Sequence, residues 1–181
     1  GMVCHETYKD ENGNWINPED VISEDGKNFF ELANKSKKIF VGPSESMSKS
    51  KKNTVDPQKI INEYGADSVR LFILSDSPPE KDIQWSETGM NASFKFIQKM
   101  WALNEKVLSY DKKSSTFNED IEKFTNQIIE KINNDIERFA LNVVIASLHK
   151  IYSFINKHTN QDDWGENFAK NYCNILRVIN P

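Results

Sequence analysis

The sequence lacks the features that define several classes of protein. It has only two cysteines, Cys4 and Cys173, which lie far apart and outside any C-x-x-C motif. Neither a disulfide framework nor a metal site of the zinc type is therefore expected. No apolar run approaches the roughly 18 residues that a membrane span requires, and the N-terminus lacks the profile of a secretory signal. We expect a cytoplasmic protein with no bound metal and no membrane partner.

The sequence also lacks an overall positive charge, since its net charge is −4. That value argues against a general polyanion binder. Residues 1–34 carry eight acidic and two basic side chains, residues 35–59 carry seven lysines against two acids, and the remainder carries 17 acidic and 14 basic side chains. One short basic island therefore lies in an acidic chain. Such an island is either a solvated loop or a loop that binds phosphate.

The N-terminal quarter of the chain predicts small strands and turns. An Asn12-Gly13 turn between two short apolar stretches is typical of a hairpin. Residues 38–41 predict a short strand, which Gly42-Pro43 would end. We also expect a helix near residues 29–34. The Ser- and Lys-rich residues 44–54 lack hydrophobic periodicity and predict an exposed, mobile loop.

Helix signals begin at Asp56-Pro57, because Asp is a favoured N-cap and Pro a favoured first helical residue. Gly65 suits the end of this helix, and Asp67 suits the cap of a second helix that Pro78-Pro79 would stop. After Ser86, apolar residues recur at the spacing of packed helices. The further helices that we predict run from 86 to about 109, from 118 to about 132, over 141–155 and over roughly 164–179, with a polar linker at 111–115.

The apolar stripes of these helices predict the core of a bundle. On the first helix the stripe consists of Phe94, Ile97, Trp101, Leu103 and Leu108. The chain ends directly after an apolar stretch, and we therefore expect an excised piece of a longer protein. The expected fold class is an α+β fragment, mostly α, in which a small N-terminal segment of strands and loops and the basic loop precede a truncated helical bundle.

The basic island contains the run Ser46-Met47-Ser48-Lys49-Ser50-Lys51-Lys52-Asn53. It is not a P-loop, which would need glycines where Pro43 and Ser48 stand. A serine nucleophile is disfavoured because no histidine lies nearby in sequence to act as a base. A mobile phosphate clamp fits better, with Lys49 supplying an ammonium group, the two flanking serines supplying hydroxyls and Met47 anchoring the loop.

Met47-Ser48-Lys49-Ser50 resembles the K-M-S-K-S signature of the class I aminoacyl-tRNA synthetases. The resemblance extends to Asn53, Val55-Asp56-Pro57, Tyr64-Gly65-Ala66-Asp67 and Arg70. Residues 77–89 and 1–8 most resemble the bacterial leucyl enzymes, and the likeness thins beyond residue 101. A related enzyme for isoleucine, valine or methionine is the alternative within the group. A non-catalytic helical RNA-binding module is the alternative outside it.

The resemblance implies an enzyme that activates leucine with ATP and Mg²⁺ to leucyl-adenylate and then transfers leucine to tRNA(Leu). Lys49 would be the catalytic residue, and the ATP-binding residues would be Ser46, Met47, Ser48, Lys49 and Ser50. Ser46 stands where the signature has its first lysine. Our hypothesis is that Lys51 or Lys52 compensates for that loss.

The resemblance also implies a division of the chain. Residues 1–85 would be the end of the catalytic domain, with the signature loop and stem-contact helices, and residues 86–181 a truncated tRNA-binding bundle of the anticodon type. The RNA contacts implied are Lys51, Lys52, Arg70, Lys95, Lys99 and Trp101. No histidine stands in the family's second signature, H-I-G-H, so we expect the isolated chain to be inactive. We expect the enzyme to be a monomer.

Overall fold

The strands of the N-terminal part are arranged around one antiparallel pair. The structure is a computed structural model that describes residues 1–110 and 114–179, so part of the predicted linker at 111–115 lies outside it. β1 (Val3–Lys9) pairs with β5 (Asn34–Ser46). The short strands β2 (Trp15–Ile16) and β6 (Ile83–Gln84) pair with β1, while β4 (Phe29–Glu31) pairs with β5 and then with β3 (Val21–Ile22).

The predicted hairpin is confirmed, since Tyr8 pairs with Ile16 across the turn. The helix predicted near residues 29–34 is wrong, because this segment holds β4. Phe29 pairs with Ile39 and Phe30 with Lys38. Pairing with a strand that follows in the sequence therefore outweighs the local preference of these residues.

The strand predicted to end at Gly42-Pro43 is longer than predicted, because β5 continues to Ser46. The register shifts between Glu6 and Thr7, where Glu6 faces Ser44 and Thr7 faces Gly42. Pro43 is the extra residue of this bulge and needs no partner for a backbone N–H that it lacks. Its carbonyl accepts a hydrogen bond of 3.0 Å from Thr7 Oγ1.

Two short helices follow the loop. α1 (Pro57–Tyr64) begins as predicted, since the Asp56 carboxylate accepts the Gln58 N–H at 2.9 Å. It ends as predicted at Gly65, whose N–H bonds Ile61 O. α2 (Ala66–Ser75) is capped by Gly65 instead of by Asp67, which lies within its first turn. The predicted cap at Asp67 is therefore wrong, because one glycine both ends α1 and begins α2.

Four helices form the C-terminal part, and the fold class predicted from the sequence is confirmed. Ser86 caps α3 (Glu87–Leu108) and Asn118 caps α4 (Glu119–Glu137), both with side-chain oxygens that accept backbone N–H groups. α5 (Leu141–His158) and α6 (Phe168–Ile179) complete the bundle. The last helix begins later than the predicted residue 164, because Gly165 has a φ of 88° that an α-helix does not contain. None of the described helices is long and apolar enough to cross a bilayer.

The larger core lies among the bundle helices and includes Ile121, Ile155 and Ile175. A smaller core joins α2 and the start of α3 through Phe72, Ile83 and Met90. The predicted stripe of α3 is wrong at its far end, since Trp101 is 66% exposed and Leu108 is 76% exposed. The buried face of α3 instead contains Met90, Ser93, Phe96 and Leu103.

Truncating a buried isoleucine of the bundle tests this packing. Ile155 is fully buried on α5, whereas Val143 on the same helix is 36% exposed. We expect Ile155→Ala to lower the free energy of unfolding by about 2–5 kcal/mol, because it removes buried methyl groups and leaves a cavity. Val143→Ala is the matched control and should cost about 0.5 kcal/mol. Urea unfolding measures both, and equal losses would contradict the assigned core.

Candidate functional site

The basic loop begins where the ladder between β1 and β5 ends. The last paired residues are Cys4 and Ser46, and Met47 N–H then donates to Val3 O at 3.0 Å. Lys49–Lys51 form one 3₁₀ turn. The prediction of an exposed loop over residues 44–54 is thus wrong for its first three residues, which belong to β5. It is also wrong for Asn53, which is fully buried.

The side chain of Asn53 connects the loop to both strands. Its Nδ2 donates to His5 O at 3.2 Å, to Glu45 O at 3.0 Å and to Ser46 O at 3.5 Å. Its Oδ1 accepts the Ser48 N–H at 2.8 Å. A buried polar group is costly unless it is hydrogen-bonded, and here both ends of the amide have partners.

The predicted ATP-binding residues are contiguous and differ in exposure. Ser46 is exposed at the end of β5, with its Oγ 3.9 Å from Cys4 Sγ. Met47 and Ser48 are half-buried, and Lys49 and Ser50 are exposed. The hydroxyls of Ser48 and Ser50 lie 2.7 Å apart and bond to each other. The loop therefore presents Lys49 to solvent from a backbone that is fixed on one side.

The lysines of the loop differ in their surroundings. Lys51 forms an ion pair with Glu45. Lys52 has a φ of 54°, in the left-handed region, and its N–H bonds Lys49 O to close the turn. Lys49 has no ion-pair partner within residues 1–110 and 114–179. The pairing of Lys51 counts against its predicted compensation for Ser46, since a phosphate would have to compete with Glu45.

Lys49 borders an open cavity of about 700 Å³. β1 contributes His5 to its wall, α1 contributes its first turns, and Trp85 and Glu87 come from the segment that begins α3. Lys59 on α1 pairs with Glu19 across one side of the cavity. This pair occupies the second lysine of the wall, so Lys49 is the lining lysine without an ion-pair partner in the described part of the chain, in a wall that also contains Asp56, Glu63 and Glu87. The volume lies within the range of small-molecule sites.

The predicted RNA-contacting residues of the helices lie at two places. Arg70 on α2 and Trp101 on α3 line a groove of about 720 Å³ that also reaches α5 and α6. The Trp101 indole N–H donates to Glu105 Oε1 at 3.0 Å, which leaves its ring face exposed. Lys95 and Lys99 are exposed one turn apart on α3. The structure therefore brings Arg70 and Trp101 together beside one groove.

His149 lies near the second of these places, which is the exposed pair Lys95 and Lys99 on α3. Its ring centroid is 3.9 Å from that of Phe96. Burial against the neighbouring side chains, and then the charge of Lys99, lower the pKa of the His149 imidazole below its ordinary value. Within the part of the chain that the structure describes, no three His, Cys, Asp or Glu side chains are grouped to hold a metal ion.

Comparison with known proteins agrees with this geometry. The family model of "tRNA synthetases class I (I, L, M and V)" matches residues 39–86, which contain the loop. A leucine–tRNA ligase of Rickettsia bellii is 39% identical over 182 residues, which are 100% of this chain and 22% of that protein. A leucine–tRNA ligase of Wolbachia pipientis subsp. Culex pipiens is 40% identical over 193 residues, which again cover 100% of this chain and 22% of that protein. This chain is a homologue of one segment of the leucine–tRNA ligases.

A solved structure shares the fold of this chain. A LeuRS of Agrobacterium radiobacter K84, in a ternary complex with tRNA and LeuAMS, matches 75% of this chain and 19% of its own chain. The TM-score is 0.64 at 23% identity, which is evidence for the fold. The chain spans about a fifth of the length of the curated ligases that it matches.

Sequence reasoning missed several residues of this candidate site. Asn53 entered only as part of the family resemblance, and its burial had no signal in a run of polar residues. The Glu45–Lys51 and Glu19–Lys59 pairs join residues whose proximity depends on the sheet and on α1. A local pattern predicts none of these contacts, because the tertiary fold creates them.

The left-handed conformation of Lys52 generates a prediction about stability. Such a conformation costs about 1–2 kcal/mol for a residue with a Cβ and little for glycine. Since both changes remove the same charge, we expect Lys52→Gly to be about 1 kcal/mol more stable than Lys52→Ala. Chemical denaturation of the two variants measures the difference. A more stable alanine variant would contradict the turn geometry.

Proposed function

We propose that this chain is the part of a leucine–tRNA ligase that presents the signature loop to ATP and carries helices that contact tRNA. In the complete enzyme, the leucine carboxylate attacks the α-phosphate of ATP, leucyl-adenylate forms and pyrophosphate leaves. The leucyl group then passes to the terminal adenosine of tRNA(Leu). The observation that carries the proposal is Lys49, exposed at the cavity on a turn that is fixed to β1 and β5.

The proposed role of Lys49 is electrostatic. When pyrophosphate leaves, negative charge grows on the phosphate oxygens, and a positioned ammonium group stabilises the transition state more than the ground state. A lysine suits this role because its ammonium is a compact charge on a flexible stem. The family resemblance and the lack of an ion-pair partner in the described parts of the chain both favour Lys49 over Lys51. Mg²⁺ would enter with ATP as part of the substrate.

The proposed tRNA contacts use the residues predicted from the sequence. Lys52, Arg70, Lys95 and Lys99 are exposed and can reach phosphates, while the open face of Trp101 can stack on a base. Lys51 would contact RNA only after leaving Glu45. We retain residues 1–85 as the end of the catalytic domain and residues 86–181 as the truncated bundle. The free thiols of Cys4 and Cys173 favour the cytoplasm, and a monomer remains our expectation.

Leucine-dependent ATP–pyrophosphate exchange in the complete ligase tests the role of Lys49. We expect Lys49→Ala to lower kcat by ~10²-fold or more, the loss typical of removing one preorganised transition-state contact. Lys27→Ala is the control, because Lys27 is an exposed lysine of the β3–β4 connection. It should leave the rate unchanged.

The same assay separates the competing functions. Exchange with isoleucine, valine or methionine in place of leucine would move the assignment within the group. Absence of exchange with every amino acid would favour the non-catalytic RNA-binding module. The isolated 181-residue chain should show no exchange.

The serine at position 46 gives a gain-of-function test. Ser46 is exposed at the end of β5, so a lysine there can extend toward the same phosphates as Lys49. An added charge at about 4 Å contributes ~1 kcal/mol in a watery site, and we therefore expect Ser46→Lys to lower the KM for ATP by about fivefold. Ser36→Lys adds the same charge at the other end of β5 and serves as the control. Equal ATP kinetics in both variants would mean that position 46 does not matter.

A further inference from the structure

Asn53 is a fully buried polar residue in a stretch where its neighbours Lys52 and Thr54 are exposed. Its side chain makes four hydrogen-bond contacts and reaches three separate parts of the backbone. Complete burial of an amide is uncommon in an exposed, lysine-rich turn. These hydrogen bonds satisfy the buried amide at both of its ends.

The four partners of Asn53 belong to the strands and to the loop. His5 O lies on β1, and Glu45 O and Ser46 O lie at the end of β5. The fourth partner, Ser48 N–H, directly precedes Lys49. One amide group thus joins the last rungs of the ladder to the residue from which the 3₁₀ turn begins.

Only a side chain that donates and accepts at this distance can make these contacts. An aspartate would keep the acceptor for Ser48 but would place an oxygen against three carbonyl oxygens. An alanine would leave both the Ser48 N–H and the carbonyls without this partner. A glutamine is one methylene longer, and the site is fully enclosed.

The ammonium of Lys49 is not held by an ion pair within residues 1–110 and 114–179, so its position depends on its backbone. The hydrogen bond from Ser48 N–H to Asn53 Oδ1 fixes the backbone just before Lys49. The hydrogen bond from Lys52 N–H to Lys49 O closes the turn after it. Asn53 directly follows Lys52, the left-handed residue that ends the turn. We propose that Asn53 is a positioning residue that determines where Lys49 meets the phosphates of ATP, an inference that rests on the proposed function.

A double-mutant cycle in the complete ligase tests this inference, with kcat and KM for ATP measured by leucine-dependent exchange. The variants are Asn53→Ala and Asn53→Asp, each alone and combined with Lys49→Ala. Displacing a reacting group by about 1 Å can cost ~10²-fold, and we expect kcat to fall by ~10-fold to ~10²-fold in each single Asn53 variant. If Asn53 acts through Lys49, either change should cost less than about twofold once Lys49 is alanine. If the losses of kcat from the Asn53 and Lys49 changes instead multiply in the double variants, the two residues act independently and the inference is overturned.

A second buried asparagine separates positioning from general destabilisation. Asn171 on α6 is 1% exposed and donates to Glu122 Oε2 at 2.7 Å and to Asn167 O at 2.9 Å. Asn171→Ala should lower Tm as Asn53→Ala does, while leaving kcat within about twofold. An equal loss of kcat in Asn171→Ala would reduce Asn53 to a structural residue.

Limited trypsin digestion of the folded ligase measures how readily the loop opens, and this measurement does not depend on catalysis. Cleavage after Lys49, Lys51 and Lys52, quantified by mass spectrometry, should accelerate by about tenfold or more in Asn53→Ala and stay unchanged in Asn171→Ala, because cleavage follows local opening. Unchanged cleavage in Asn53→Ala would overturn the inference even if Lys49→Ala abolishes exchange. Faster cleavage combined with full activity of Lys49→Ala would instead overturn the proposed function, and the positioning role of Asn53 with it.

Discussion

The end of the ladder between β1 and β5 determines where the signature loop lies. Strand β5 reaches Ser46 through the bulge at Pro43, where a residue without a backbone N–H removes no hydrogen bond from the ladder. Gly42 lets the strands approach at that bulge, since a Cβ there would lie 2.5 Å from Thr7 Oγ1. The parallel pairing of Val3 with Ile83 then fixes the start of β1 from the other side. The loop thus begins from a rigid point, although most of its side chains are exposed.

The chain as a whole is acidic, so any attraction for an anion must come from the few lysines near the cavity. Ion pairs occupy Lys51 on the loop and Lys59 on the cavity wall, with Glu45 and Glu19 as their partners. Exposed pairs of this kind contribute little to stability, about 0–1 kcal/mol. Their larger effect here is on the site, where they reduce the number of cations that face an incoming anion. The electrostatic role that we propose for Lys49 therefore depends more on the position of its ammonium group than on the total count of lysines.

The sequence predicted those parts of the fold that depend on local signals. The cap at Asp56 was predicted correctly because its side-chain oxygen and the N–H that it accepts belong to one short stretch. Strand β5 was predicted too short because Ile39 is its one buried residue, which leaves no alternating pattern to read. The helix predicted near residues 29–34 failed for a related reason, since its strand partner follows later in the chain. The identity of the loop came from the resemblance, whereas the contacts of Asn53 required the three-dimensional structure.

An experimental structure of the complete ligase with leucine and a non-hydrolysable ATP analogue would test the central claim most directly. We predict that Lys49 Nζ lies about 3 Å from an oxygen of the β- or γ-phosphate. We also predict that the Asn53 side chain still bonds Ser48 N–H and His5 O. Phosphates held by Lys51 or Lys52, with Lys49 in solvent, would contradict this claim. So would a closed loop in which Asn53 has left both strands.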